Sequence, residues 1–179
     1  MTRYVVLLRG INVGGHAKIA MADLRALLTN LGYEDVKTHL QSGNAVLTAK
    51  DKPDHLVRTL ESSLLSELGM SVKCLVRTAP EMRKIVDGDP FAGVATEGSK
   101  YVVLFLSAPL DKALVAALDP ADYAPEQFRI AGREAYLWHP DGIHDAKMNK
   151  IKWETRFKVV ASARNWNTVT KLADMVAAT

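Results

Sequence analysis

The sequence predicts an α+β protein made of two ferredoxin-like subdomains of the β-α-β-β-α-β type, packed together, with a helical C-terminal segment. Three observations predict it. Apolar runs alternate with helical leucine periods in the order β-α-β-β-α-β over residues 1–90. The order then restarts over residues 91–179, where "KYVVLFLS" from Lys100 echoes "RYVVLLRG" from Arg3. Each half also has a glycine, Gly43 or Gly132, between its second and third strands.

Taken in order, Tyr4 to Leu8 is a continuous apolar run, the pattern of a strand buried on both faces. Leu24, Leu27, Leu28 and Leu31 recur at helical spacing, with Gly32 where a C-terminal cap belongs. "VKTHLQSGNAVLTA" predicts two strands around a tight Ser42-Gly43-Asn44 turn. Pro53 suits the first turn of a helix on Leu56, Leu60, Leu64 and Leu68, closed by Gly69. "VKCLVR" is a fourth strand, and Thr78 with Glu81 makes a capping box for a short helix holding Met82, Ile85 and Val86. "DGDP" from Asp87 breaks the chain. A helix follows over Lys112 to Leu118, then "QFRIAGREAYLWH" as two strands. The final third is expected to be helical, its last helix resting on Val169, Leu172, Ala173 and Val176 with Asn167 as N-cap. Two mixed sheets of about four strands each result.

The bulk numbers exclude several classes. At 179 residues with 48% hydrophobic and 24% charged, the chain is globular, not disordered. No apolar stretch is long enough to span a membrane, and the opening residues form a first strand and not a signal peptide. One cysteine, Cys74, excludes an internal disulfide and suits a reducing cytoplasm. Net charge is +3, but Lys147 to Lys171 carries +6, which leaves −3 for the remainder. That basic segment is a solvated helix face or a polyanion-binding surface.

The loop from Arg9 to His16 matches neither phosphate-binding signature. A Walker A loop needs lysine directly after its second key glycine, and the dinucleotide fingerprint needs a spacing that Gly10, Gly14 and Gly15 do not have. Two readings stand: a permissive strand-to-helix connection, or backbone N–H groups and Arg9 facing an anion. Topology favours the second. In a ferredoxin-like unit the first and second strands run parallel, so their C-terminal ends share one sheet edge. Arg9 and its glycines should therefore lie beside Ser42, Gly43 and Asn44.

"SARNWNTVTKL" places Arg164, Asn165, Trp166 and Asn167 just before the last helix. Capping and a buried tryptophan explain Trp166 and Asn167, whereas a cation at a helix's positive end is mildly unfavourable. Arg164 therefore joins the candidate site. "WHPDGIHDAK" holds His139, Asp141, His144 and Asp145, but Pro140 and Gly142 make it a surface turn with no established metal spacing. No metal is assigned. Cys74, mid-strand, is a core residue and not a nucleophile.

"YVVLLRGINVGGHAKIAMADLRALLTNLGYEDVKTHLQSGN" and "ARNWNTVTKL" resemble the two ends of a widespread bacterial family known only as a domain of unknown function. The likeness extends over essentially the whole chain, and the LLRGINVGG motif is specific to that family. The resemblance implies paired ferredoxin-like subdomains and no established activity or cofactor. The family-like positions are Arg9, Gly10, Asn12, Gly14, Gly15, Lys18 and Met21, then Gln41, Ser42, Gly43 and Asn44. Later ones are Pro140, Gly142, Lys147, Asn149, Arg164, Asn165, Trp166, Thr168 and Lys171. His16, Ala17, Ala146 and Ser162 depart from the pattern, and His139 and His144 fall outside it.

These readings define a cytoplasmic protein with a site for a small anionic ligand. The site consists of Arg9, Asn12, Gly14, Gly15, Ser42, Gly43, Asn44, Arg164 and Asn165, in a cleft between the glycine loop, the hairpin and the RNW segment. No catalytic residue is identified, and no cofactor. Two alternatives stay open: weak, non-specific nucleic-acid binding by Lys147, Lys150, Lys152, Arg156 and Lys158, or a non-catalytic interaction module. RNA recognition by the sheet ranks low, because "NAVLTA" offers no aromatic for base stacking.

Overall fold

The structure is a computed structural model that describes residues 1–15 and 17–178. His16 lies outside the described residues. The chain divides into two compact units, Met1–Val86 together with the residues from Lys171 on, and Asp87–Thr170. The sequence boundary at 90/91 thus falls four residues later, and residues 171–178 group with the first unit and not the second. One reason is explicit: Arg3 Nη2 donates to the carbonyl of Met175 at 3.1 Å.

The first unit runs β1 (Thr2–Leu8), α1 (Met21–Asn30), β2 (Glu34–His39), β3 (Asn44–Ala49), α2 (Pro53–Leu68), β4 (Cys74–Thr78) and α3 (Ala79–Asp87). Its sheet has the order β2-β3-β1-β4, and every neighbouring pair is antiparallel. The sheet is therefore antiparallel throughout, and not the mixed sheet expected from sequence. β1 and β2 do run parallel, but β3 inserts between them, which is how the split βαβ arrangement works. One face is covered by α1 and α2. Tyr4, Val6 and Leu8 pack there with Leu24, Leu27 and Leu28, and with Leu56, Leu60 and Leu64. Each buried leucine contributes about 1.5–3 kcal/mol relative to an exposed one. Gly69 ends α2 in the left-handed region, with Met70 N donating to Leu64 O as in a Schellman cap.

The second unit repeats the plan with β5 (Tyr101–Leu106), α4 (Lys112–Ala116), β6 (Gln127–Ala131), β7 (Glu134–Trp138), α5 (Trp153–Phe157), β8 (Ala161–Asn165) and the start of α6 (Trp166–Ala177), whose residues from Lys171 on group with the first unit. Its sheet order, β6-β7-β5-β8, matches the first, and again every pair is antiparallel. The final third is thus not all helical. β8 was missed because "ASARN" has no β-branched or aromatic residue; it is a strand because it completes the ladder on β5.

The echo between Arg3 and Lys100 is one residue out of phase with the structure. Tyr4 lies on the helix-covered face of its sheet, but in the second unit that face takes Val102, Leu104 and Leu106 and not Tyr101. The register gives the true correspondence. Val5 pairs with Arg77 as Val103 pairs with Arg164, so each fourth strand carries a buried arginine. Each donates to the carbonyl before it, Arg77 Nη1 to Val76 at 2.9 Å and Arg164 Nη1 to Ala163 at 2.7 Å. The next residue in each case caps the following helix. Thr78 forms the expected capping box with Glu81, and Asn165 Oδ1 accepts from Thr168 N at 3.0 Å. The cap of α6 is therefore Asn165, and Asn167 lies one residue inside the helix.

Candidate functional site

In the first unit, the glycine loop and the hairpin meet at one sheet edge, as topology requires. Leu8 N donates to Gly43 O at 2.9 Å, and Asn12 Nδ2 donates to the carbonyls of Gln41 and Ile19. Ile19 N returns a bond to Asn12 Oδ1, and Asn12 N donates to Ala17 O. Asn12 thus draws the loop's two ends together and ties them to the hairpin. Asn44 is fully buried, its amide donating to His39 O and Ser42 Oγ. Both amides hold the architecture of this edge. Arg9, Gly14 and Gly15 are exposed.

The glycines differ in what they require. Gly43 has φ +82°, and a Cβ there would sit 2.6 Å from Ile11 Cδ1, so the loop packs directly onto bare backbone. Gly10 and Gly15 also have positive φ, but nothing lies within 4 Å of their absent side chains. Those two serve conformation alone.

The second unit contains a cavity of ≈ 420 Å³ on the helix-covered face of its sheet. Val102, Leu104, Leu137 and Ala163 form the floor, and Ile143, Met148 and Trp153 the opposite wall. Its origin lies in the crossover between β7 and β8. In the first unit the equivalent connection is the 16-residue α2, whose leucines fill the space over the sheet. Here it is a 3₁₀ turn, Lys147–Ile151, and the five-residue α5. A single helical turn is too short to cover the floor.

Four polar side chains border the cavity: His139, Asn149, Lys152 and Asn165. Asn149 and Lys152 are exposed and sit at its rim, and Asn149 Nδ2 donates to the carbonyls of Ile143 and His144. His139 is 2% exposed, and its Nδ1 has no hydrogen-bond partner among the described residues. Glu126 Oε2 is its nearest carboxylate oxygen, at 3.6 Å. Burial lowers the imidazole's pKa, and Glu126 offsets that in part. Glu126 is itself buried; it accepts the backbone N–H groups of Lys147 and Met148 and so caps the turn that walls the cavity.

Arg164 also borders the cavity, but through its main chain. Val102 and Leu104 pair with Asn165 and Ala163, whereas Arg164 pairs with Val103. Side chains alternate along a strand, so the guanidinium leaves on the opposite face. There Nη1 donates to Ser162 Oγ at 2.8 Å, and burial pulls the group's pKa down to about 10. Asn165 borders this cavity and not the cleft expected from sequence, and its Oδ1 caps α6.

Sequence reasoning weighed His139 only as a metal ligand and Lys152 only as a surface cation. Glu126 and Trp153 it passed over. Glu126 carries no motif, since its role depends on a turn twenty residues away. Among the described residues no group of three or more His, Cys, Asp or Glu side chains is placed to hold a metal ion. Burial pushes the Cys74 thiol up to about 12, with the nearby Glu61 adding to the effect, far from a thiolate at neutral pH. No helix among the described residues is long and apolar enough to cross a membrane.

Fold and site together define an α+β protein of two similar units, the second with a ligand-sized cavity. The chain belongs to the family described as a protein of unknown function (DUF1697), whose model matches residues 1–136. That span includes the glycine loop and the hairpin and ends within β7, before the RNW segment. Among solved structures it is similar to the conserved bacterial protein SP0830 from Streptococcus pneumoniae, at 28% identity and a TM-score of 0.73, with 98% of each chain covered. Comparison with curated proteins gave no match.

Proposed function

We propose that the protein binds a small anionic organic ligand in the cavity of its second unit. The observation that carries this is the cavity's composition. Its volume lies within the roughly 300–1,000 Å³ typical of small-molecule sites, and its floor and wall are apolar. The charged side chain at its border is a cation, Lys152, and among the described residues no acidic one lines it. Apolar walls favour a hydrocarbon or aromatic body, and the lysine favours a negative group at the mouth. The Arg9 loop belongs to the first unit, and this reading does not draw on it.

A thermal-shift screen of small carboxylates, phosphate monoesters and their neutral analogues tests it. A ligand that binds only the folded state raises the melting temperature, by an amount that grows with its concentration. Absence of stabilisation by every anion in the panel would end this proposal.

A second reading has an observation of its own. Lys147, Lys150, Lys152, Arg156 and Lys158 are all exposed on one short segment. The acid among them, Glu154, is half-buried and accepts from Ala161 N at 2.9 Å. That segment would attract a polyanion weakly and without sequence preference.

A further inference from the structure

We propose that the cavity takes an organic monoanion, a carboxylate on an apolar body, and takes it together with a proton that comes to rest on His139. The inference rests on the small-anion reading above and names its ligand class and its coupling to pH.

A buried polar atom without a hydrogen bond costs about 1–3 kcal/mol, and Nδ1 of His139, a residue that borders the cavity, has no such bond among the described residues. At 3.6 Å, Glu126 Oε2 is too far for a hydrogen bond and close enough for strong attraction between charges. The neutral imidazole is thus poised beside a carboxylate that would stabilise it once protonated. Desolvation alone opposes protonation.

A second carboxylate entering the cavity tips that balance. The ring would then lie between two carboxylates, and its positive charge is attracted by both, by Glu126 across 3.6 Å and by the ligand. Close to His139 in the strand pairing is Lys100, whose carbonyl accepts from His139 N and whose ammonium is paired with Glu97, so it adds no net charge. Glu126 precedes β6, Lys152 and Asn149 come from the β7–β8 crossover, and Asn165 comes from β8. With the proton added, one imidazolium and Lys152 confront Glu126 and a monoanion, so the site is neutral. A dianionic phosphate would leave an uncompensated charge against apolar walls, which is costly. A neutral analogue would bring no reason to take up the proton.

Two calorimetric titrations test the proposal, with phenylacetate and with phenylacetamide as probes, between pH 5.5 and 8.0 in buffers of different ionisation heat. Phenylacetate should bind with uptake of up to one proton. Its affinity should fall about ten-fold per pH unit above the imidazole's pKa in the free protein, until the pKa in the complex is reached. In His139→Gln, proton uptake should vanish and the affinity should lose its pH dependence. If both probes bind equally well with no proton uptake, the cavity reading survives and this inference fails. If neither binds, this inference fails, and the anion panel above decides the cavity reading. Proton uptake that persists in His139→Gln would assign the proton to another group and overturn the inference. Because uptake is read on the unmodified protein, the test does not depend on the variant folding.

Discussion

His139 Nδ1 and Glu126 Oε2 lie 3.6 Å apart, both residues buried, with no hydrogen bond on the imidazole nitrogen. The pair makes stability depend on pH in a definite direction. Burial holds the folded-state pKa of His139 below its ordinary value, so the unfolded chain binds more protons in that window. This contribution is fully present above the unfolded imidazole's pKa of about 6.5 and is lost as pH falls toward the lower folded value. His39 shifts the same way, from burial and then Lys171, so a variant is needed to separate them. The urea midpoint of the native protein should drop from pH 7.5 to pH 5.5 by more than that of His139→Gln. Equal drops would show that His139 does not titrate as its burial requires.

The two kinds of glycine at the first unit's sheet edge give a graded pair of variants. Gly43→Ala must place a methyl group 2.6 Å from Ile11 Cδ1 and 3.0 Å from Leu8 Cβ at φ +82°. Overpacking adds about 1–3 kcal/mol to a backbone cost of similar size. Gly10→Ala meets only the backbone cost, about 1–2 kcal/mol, since nothing approaches its side. Chemical denaturation should rank Gly43→Ala as clearly worse. The reverse order would mean that the loop does not pack on the hairpin.

Helix α6 offers a test of which asparagine caps it. Asn165 Oδ1 accepts from Thr168 N, so Asn165→Ala should cost about 0.5–2 kcal/mol, with Asn165→Asp restoring most of that. Asn167 lies inside the helix, where alanine is the better helix former. Its side chain packs against Gly98, whose absent Cβ would collide with it, so Asn167→Ala removes contact but no cap. A larger loss at position 167 than at 165 would restore the assignment expected from sequence.

The legible parts of this protein were those set by local pattern. Leucine spacing, Pro53, Gly69 and the Thr78–Glu81 box each specify structure within a few residues, and they placed the first unit's elements correctly. Connectivity then brought the Arg9 loop beside the hairpin without further information. What local pattern could not supply was anything decided across the sheet. "ASARN" becomes a strand only because β5 has an open edge, and the side to which Arg164 points follows from that pairing. The cavity was illegible for a related reason. It arises from how little of the β7–β8 crossover is helix, which is a question of volume and not of sequence motif.

The cations of the β7–β8 crossover allow a quantitative expectation for nucleic acid. Lys147, Lys150, Lys152, Arg156 and Lys158 are exposed, though Lys147 Nζ already donates to Ala124 O at 2.6 Å. If all five met phosphates of duplex DNA, the log–log slope of affinity against salt would be roughly −4.5, at about −0.9 per contact. Binding measured by fluorescence anisotropy at low salt should therefore vanish near physiological ionic strength. Tight, sequence-selective binding that survives such salt would rank nucleic acid above the small anion.

Ala163 gives the most direct test of the cavity. It lies on β8 opposite Leu104, is exposed, and forms part of the cavity floor. A phenylalanine there projects into free space and meets no packed core, so its effect on stability should stay within about 0.5 kcal/mol, as for most surface substitutions. The added ring would occupy a large share of the ≈ 420 Å³ and cover the apolar floor that a ligand needs. Ala163→Phe should therefore abolish the thermal shift produced by any anion that stabilises the native protein, while Ala163→Ser, which leaves the volume open, should retain it. Binding that persists unchanged in Ala163→Phe would place the ligand somewhere other than this cavity.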